Sequence, residues 1–165
     1  VARVTGIDAS GTAVAAARAA AGARGLPNVA FEEADARDLS AFPDGSFDAV
    51  LLADFVEHVL DDVLRPCLAE ARRVLSPRGA LAIYTPNRDH WAERIKAAVP
   101  GLQQEDHIAV RPSDEVVRLV TAAGFAVEEL FFSASPYPLL GALDRRLPGA
   151  RPCRFRTVLR ALRPG

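Results

Sequence analysis

Methionine is absent from all 165 residues, position 1 included, so the chain is expected to begin inside a longer reading frame. Lysine occurs once, as Lys96, among 20 basic residues; with so much alanine this reads as the mark of a GC-rich genome rather than as guanidinium chemistry. Cysteine is limited to Cys67 and Cys153, too few and too far apart for a disulfide framework or a zinc site. No apolar run approaches the roughly 18 residues of a membrane span, and none has the flanks of a signal peptide. Net charge is also small, at −1; with 50% hydrophobic and 25% charged residues this excludes a disordered chain. The remaining class is a globular domain, expected in the cytoplasm.

Strand and helix signals alternate along the chain. Val4-Thr5-Gly6-Ile7-Asp8 is a short β-branched run ending in an acid. Ser10 can cap a helix over the alanine stretch Ala13 to Ala21, which Gly22, Gly25 and Pro27 close. Asn28 to Glu33 reads as a second strand, and Pro43-Asp44-Gly45-Ser46 as a turn. Phe47 to Ala53 is almost continuously apolar, which predicts a strand buried on both faces. Val63, Leu64, Cys67, Leu68, Ala71, Val74 and Leu75 mark one face of a helix, with Pro66 required in its opening turn or disturbing it. Ala80 to Thr85 is a further buried strand, Trp91 to Val99 a helical stretch, and Pro112 opens a helix that Gly124 closes before a strand over Phe125 to Phe132. Short turns between alternating elements imply an α/β fold with a mostly parallel sheet.

In such sheets a ligand lies beyond the carboxyl ends of the strands, and an acid ending the second strand accepts from both ribose hydroxyls. Asp8 stands where that acid belongs, but a glycine-rich loop should precede it by about 20 residues. Only seven residues do. Either Asp8 simply ends a strand, or the chain starts after the first strand and its loop.

Five segments taken together narrow the choice. They are Gly6-Ile7-Asp8-Ala9-Ser10, Glu33-Ala34-Asp35-Ala36, Pro43-Asp44-Gly45-Ser46-Phe47-Asp48, Phe55-Val56-Glu57-His58-Val59 and Leu75-Ser76-Pro77-Arg78-Gly79-Ala80-Leu81. In this order and spacing they resemble the class I S-adenosylmethionine-dependent methyltransferases, and most of all the small-molecule branch with the quinone-biosynthesis O-methyltransferases. The resemblance covers about residues 4–132 and implies a Rossmann-like fold, here lacking its first strand, with S-adenosyl-L-methionine as cofactor. It implies that Asp8 holds the ribose, with Ile7 and Ala9 beside the nucleoside. Asp35 would accept from the adenine amino group, Ala36 would offer backbone contact, and Ala53 would line the methionine side. A carboxylate at Asp35 can only accept hydrogen bonds, which suits an amino purine; Asp35 and Asp38 can equally be turn residues.

Methyl transfer asks mainly for in-line positioning, and some acceptors also need a base. His107, between the expected fifth and sixth strands where the resemblance implies acceptor-binding residues, is the expected catalytic residue; an ordinary loop histidine is the alternative. Asp54, Glu57 and His58 at i, i+3 and i+4 would share one side of a helical turn. Carboxylates and an imidazole can hold a divalent metal, and some of the quinone enzymes this stretch resembles are thought to do so. Without a fourth ligand in the sequence no metal is expected. Trp91, beside His90 and Asn87, could form an acceptor lid or anchor its helix, and Tyr84 is expected in the core.

Charge divides the chain. Residues 1–140, the expected methyltransferase domain, hold 13 basic and 20 acidic residues, whereas 141–165 hold 7 basic and 1 acidic. Phe155, Val158, Leu159 and Leu162 are spaced to share a helix face, so the basic segment is expected to dock as a helix on the same domain; contact with an anionic membrane surface is the other use of such a helix. Nucleic acid is not expected as a partner, because the body is acidic and the tail lacks interleaved aromatics. The expected function is methyl transfer to a small-molecule acceptor, this chain alone being inactive without the upstream loop. A nicotinamide or nucleotide-sugar enzyme on a similar fold, and a non-catalytic interaction module derived from a methyltransferase, are the alternatives.

Overall fold

The computed structural model describes residues 3–99, 106–133 and 156–164. The chain divides into two compact units, Val1–Phe42 and Pro43–Gly165.

The first unit is a strand, a helix and a strand. β1 (Val4–Asp8) and β2 (Val29–Glu33) pair in parallel, from Val4 opposite Val29 to Asp8 opposite Glu33. Between them runs α1 (Gly11–Ala23), capped by Ser10, whose hydroxyl accepts from the Ala13 N–H. Its alanine content supplies helix propensity rather than an apolar face, and only Val14 and Ala21 are buried. Gly25, at φ +61, closes the helix with its N–H on the Gly22 carbonyl. Gly6 is fixed by close approach: a Cβ there would stand 2.6 Å from the Phe31 ring on β2. Arg18 on α1 reaches back and donates twice to the Phe31 carbonyl.

The second unit is a four-stranded sheet with helices. In chain order it runs β3 (Phe47–Ala53), a 3-10 turn (Val56–His58), α2 (Asp61–Val74), β4 (Leu75–Pro86), α3 (Trp91–Ala98), α4 (Ser113–Ala122), β5 (Ala126–Ser133) and β6 (Arg156–Leu162). Its strand order is β3-β4-β6-β5. The β3–β4 ladder is parallel and the two ladders of β6 are antiparallel, so this sheet is mixed. Leu64, Leu68 and Ala71 of α2 share a core with Leu81 and Ile83 of β4, Val116 and Val120 of α4, and Leu159 and Ala161 of β6. The helix expected from the apolar spacing 63–75 is therefore present, and it accommodates Pro66 in its second turn without a break.

Three expectations are corrected. β3 is not buried on both faces: it is an edge strand of its sheet, and Leu51 is 66% exposed. β4 begins at Leu75 rather than Ala80, because Ser76–Gly79 bulge out of the ladder, shifting the register between Phe47–Leu75 and Ala49–Ala80. Arg78 takes a left-handed φ of +65 in that bulge, and its N–H donates to the Arg163 carbonyl.

The third correction is the largest. Residues 156–162 form a strand, not an amphipathic helix. Leu159 and Ala161 are fully buried while Arg160 between them is exposed, a period of two that inserts between β4 and β5. The spacing of Val158, Leu159 and Leu162 suits a helix as well as a strand, and the ladders on both sides decide it. Cys153, Phe155 and the arginines from Arg145 to Arg154 lie outside the described residues, as does the side chain of Trp91.

Candidate functional site

The parallel pairing of β1 and β2 places their carboxyl ends side by side, and the Ala34 N–H donates to the Asp8 carbonyl one residue beyond the ladder. Asp8 is exposed, and its Oδ1 accepts from the Ser10 N–H at 2.7 Å. Its other oxygen has no partner among the described residues. Ile7 is half-buried and Ala9 exposed beside it. Past β2, Asp35 is exposed and Ala36 half-buried. Both Asp35 oxygens are engaged by Arg37: its N–H and Nε donate to Oδ1, and Nε and Nη2 to Oδ2 at 2.9 and 2.6 Å. These bonds hold the Asp35 carboxyl down at about 2. Asp38 likewise accepts from the Ser40 N–H, so both acids also serve the turn.

In the second unit the carboxyl ends of β3 and β4 carry the other expected residues. Ala53 ends β3 and is exposed. Asp54 follows in the left-handed region at φ +48, with its N–H on the Tyr84 carbonyl. That residue stands outside the 3-10 turn, so the expected α-helical grouping of Asp54, Glu57 and His58 does not form. Tyr84 itself is half-buried, less than a core residue. Glu57 is fully buried, and the Thr85 hydroxyl donates to its Oε2 at 2.9 Å. Burial pushes its carboxyl pKa up.

The long-range contacts bring in His107. The Ala109 N–H donates to the Glu57 carbonyl at 2.9 Å, and His58 Nδ1 lies 2.8 Å from the Asp106 carbonyl oxygen. A carbonyl only accepts, so this bond puts a proton on His58 Nδ1. The Asp106 carboxylate stands 3.7 Å from the same nitrogen. Asp106 thus orients His58. The His58 and His107 rings meet edge to face with centroids 4.9 Å apart. Glu57, His58 and His107 each bring one ligand atom within 4.8 Å of the others, a donor set of the kind that takes divalent ions, whereas Asp54 stays outside it.

Arg111 is a buried residue beside this cluster that sequence reasoning missed. Its side chain is 5% exposed. Nη1 donates to the carbonyls of Val56 and Ala109, and Nη2 to the Val59 carbonyl and to Asp61 Oδ1. The only local signal was an arginine directly before the proline that opens α4, which does not reveal burial. A cavity of about 650 Å³ opens here, lined among others by His107, Ile108, Leu60, Arg88, Asp62 and Arg111.

Comparison with known proteins bears on the fold and the family. A family model described as a methyltransferase domain matches residues 1–83. The chain is 41% identical over 98 residues to a trans-aconitate 2-methyltransferase of Deinococcus radiodurans, covering 59% of this chain and 34% of that protein. It is 45% identical over 82 residues to a demethylmenaquinone methyltransferase of Thermus thermophilus, covering 50% of this chain and 36% of the other. The chain thus spans about a third of the length of these relatives. Among solved structures, an S-adenosylmethionine-dependent methyltransferase of Methanosarcina mazei superposes with a TM-score of 0.72 at 21% identity, over 98% of this chain and 82% of that one. A Haloferax volcanii methyltransferase complex with the activator Trm112 gives 0.74 at 20% identity, over 99% and 73%. At such identities the superpositions establish the Rossmann-like fold alone. The match over half the chain, on the same residues that place two acids at adjacent strand ends, establishes that this chain belongs to the class I S-adenosylmethionine-dependent methyltransferase family.

Proposed function

We propose that this chain is the cofactor- and acceptor-binding part of a methyltransferase that moves the methyl group of S-adenosyl-L-methionine to a small-molecule acceptor in the cytoplasm. The observation that carries the cofactor assignment is the parallel β1–β2 pair with Asp8 and Asp35 at its carboxyl end. Asp8, with one oxygen unengaged among the described residues, holds the ribose; Ile7 and Ala9 flank the nucleoside. Asp35 and Ala36 meet the adenine edge, and Ala53 lines the methionine side. The bound cofactor supplies an electrophilic sulfonium methyl. The protein aligns an acceptor atom behind it, and His107 on the cavity wall takes the acceptor's proton where one must leave.

A small-molecule acceptor accords with the names of the relatives, and the mixed apolar and ionic lining of the cavity accords with a compact polar compound. The acid excess of residues 1–140 argues against nucleic acid as a partner. Calorimetric titration of adenosylhomocysteine into the chain tests the reading. Binding is expected, weakened at least about tenfold by Asp8→Ala, a loss of roughly 1.4 kcal/mol, and less by Asp35→Ala. Binding of NAD in place of adenosylhomocysteine would overturn the reading in favour of a nicotinamide enzyme. A folded chain that takes neither would be an interaction module.

A further inference from the structure

We propose that Arg111 is a positioning residue of the acceptor site, whose buried guanidinium fixes the turn bearing His58 against the segment bearing His107 and so sets the two rings edge to face. The proposal rests on His107 as the acceptor-side residue. Val56 and Val59, the two carbonyls that Arg111 holds at 2.6 and 3.0 Å, bracket Glu57 and His58. Ala109, the third carbonyl at 3.1 Å, lies two residues after His107. One cation therefore grips both sides of the histidine pair. The bonds from Ala109 N–H to the Glu57 carbonyl and from His58 Nδ1 to the Asp106 carbonyl tie the same two segments a second time.

The fork geometry explains why arginine stands here. A 3-10 turn leaves carbonyls without helical partners, and these converge on one point. A planar guanidinium meets several such oxygens with fixed directions, whereas a lysine ammonium is a point charge with three donors. Burying the cation is costly, and an apolar side chain would anchor the turn without that penalty. It would not orient the carbonyls. Asp61 at 2.8 Å and Glu115 at 3.8 Å balance the charge, so the guanidinium is engaged within the protein rather than offered to an anionic acceptor.

The test uses the whole chain with ¹⁵N-labelled histidine. The sequence has three histidines, and buried His90 serves as internal reference. Long-range ¹H–¹⁵N correlation reads each ring's tautomer, and a nuclear Overhauser contact reads the His58–His107 approach. In the parent, His58 is expected as the Nδ1–H tautomer with the ring contact present. Arg111→Lys is expected to lose the contact and give a tautomer mixture at His58, leaving His90 unchanged. Asp61→Asn, which removes the carboxylate but none of the three carbonyl bonds, is expected to keep both signals. A folded Arg111→Lys variant with contact and tautomer intact overturns the proposal. So does loss of both signals in Asp61→Asn, which would assign the effect to the ion pair, or failure of Arg111→Lys to fold, which would make the residue purely structural. Neither signal depends on methyl transfer or on adenosylhomocysteine, so failure of the methyltransferase reading is seen separately.

Discussion

The two units hold their candidate site residues in opposite ways. Asp8 and Asp35 each accept from a backbone N–H only two residues on, and both stay exposed. In the second unit, Glu57, His58 and Arg111 find partners 28, 48 and 55 residues away, and Glu57 and Arg111 are buried. Local bonds make these two acids a property of two turns and a short ladder. The groups of the second unit exist in their arrangement only when a whole sheet and its helices are packed. Damage to the core should therefore disperse the second group and leave the first largely as it is.

Leu68→Ala puts that contrast under the greatest strain. Leu68 is 1% exposed in the core of the second unit, and its truncation is expected to cost about 2–5 kcal/mol in denaturant unfolding. With it the His58–His107 contact should weaken while the Asp35 titration stays in place; an unchanged histidine contact in a destabilised chain would break the contrast. In the first unit the corresponding test is overpacking. Gly6→Val drives a side chain into the Phe31 ring and is expected to cost about 1–3 kcal/mol, part of which Phe31→Leu in the same chain should restore. No rescue by the second substitution would mean that the ring is not the obstacle.

Proton linkage sharpens the comparison at a smaller scale. Glu57 has a raised pKa in the folded chain, so its contribution to stability is present at low pH and is lost as pH rises through that value. Glu57→Gln removes this loss, and its unfolding midpoint should gain on the parent as pH is raised above the ordinary 4.5. A constant difference across that range would show that burial does not govern this carboxyl. Asp35 has the opposite sign. Its pKa of about 2 lies below the ordinary 3.8, so its contribution is complete above the ordinary value and disappears as pH falls through about 2. Arg37→Gln should return the Asp35 titration toward 3.8 with little change in unfolding, since the pair is exposed.

Much of this was legible in local sequence. Ser10 before an alanine run, Gly25 after it, and the apolar stripe from Leu64 to Val74 each gave their element, because caps, left-handed turns and a 3.6-residue period act over a few positions. Asp8 and Asp35 could be singled out as candidates for the same reason: both sit where a short strand ends. His107 could be singled out as a candidate only as a type of residue in a type of place. Its neighbour in space, His58, was grouped instead with Asp54, because spacing along the chain suggested a helical turn where the backbone at Asp54 turns left-handed.

Tertiary structure decided the rest. Residues 156–162 carry a pattern compatible with either period, and the open place between β4 and β5 selected the strand. Phe47 to Ala53 was apolar enough for a central strand, yet its position in the sheet order left Leu51 in the open. Arg111 shows no local sign of burial, since the carbonyls it satisfies belong to residues 50 or more positions earlier, except for Ala109. The sequence by itself determined most of the elements, the cap of the first helix and the acids at strand ends, all of which depend on dihedral preferences and contacts between near neighbours. Which strand lies at an edge, which histidine meets which, and which cation is buried depend on closing loops of tens of residues, and that is settled only when the sheet is assembled.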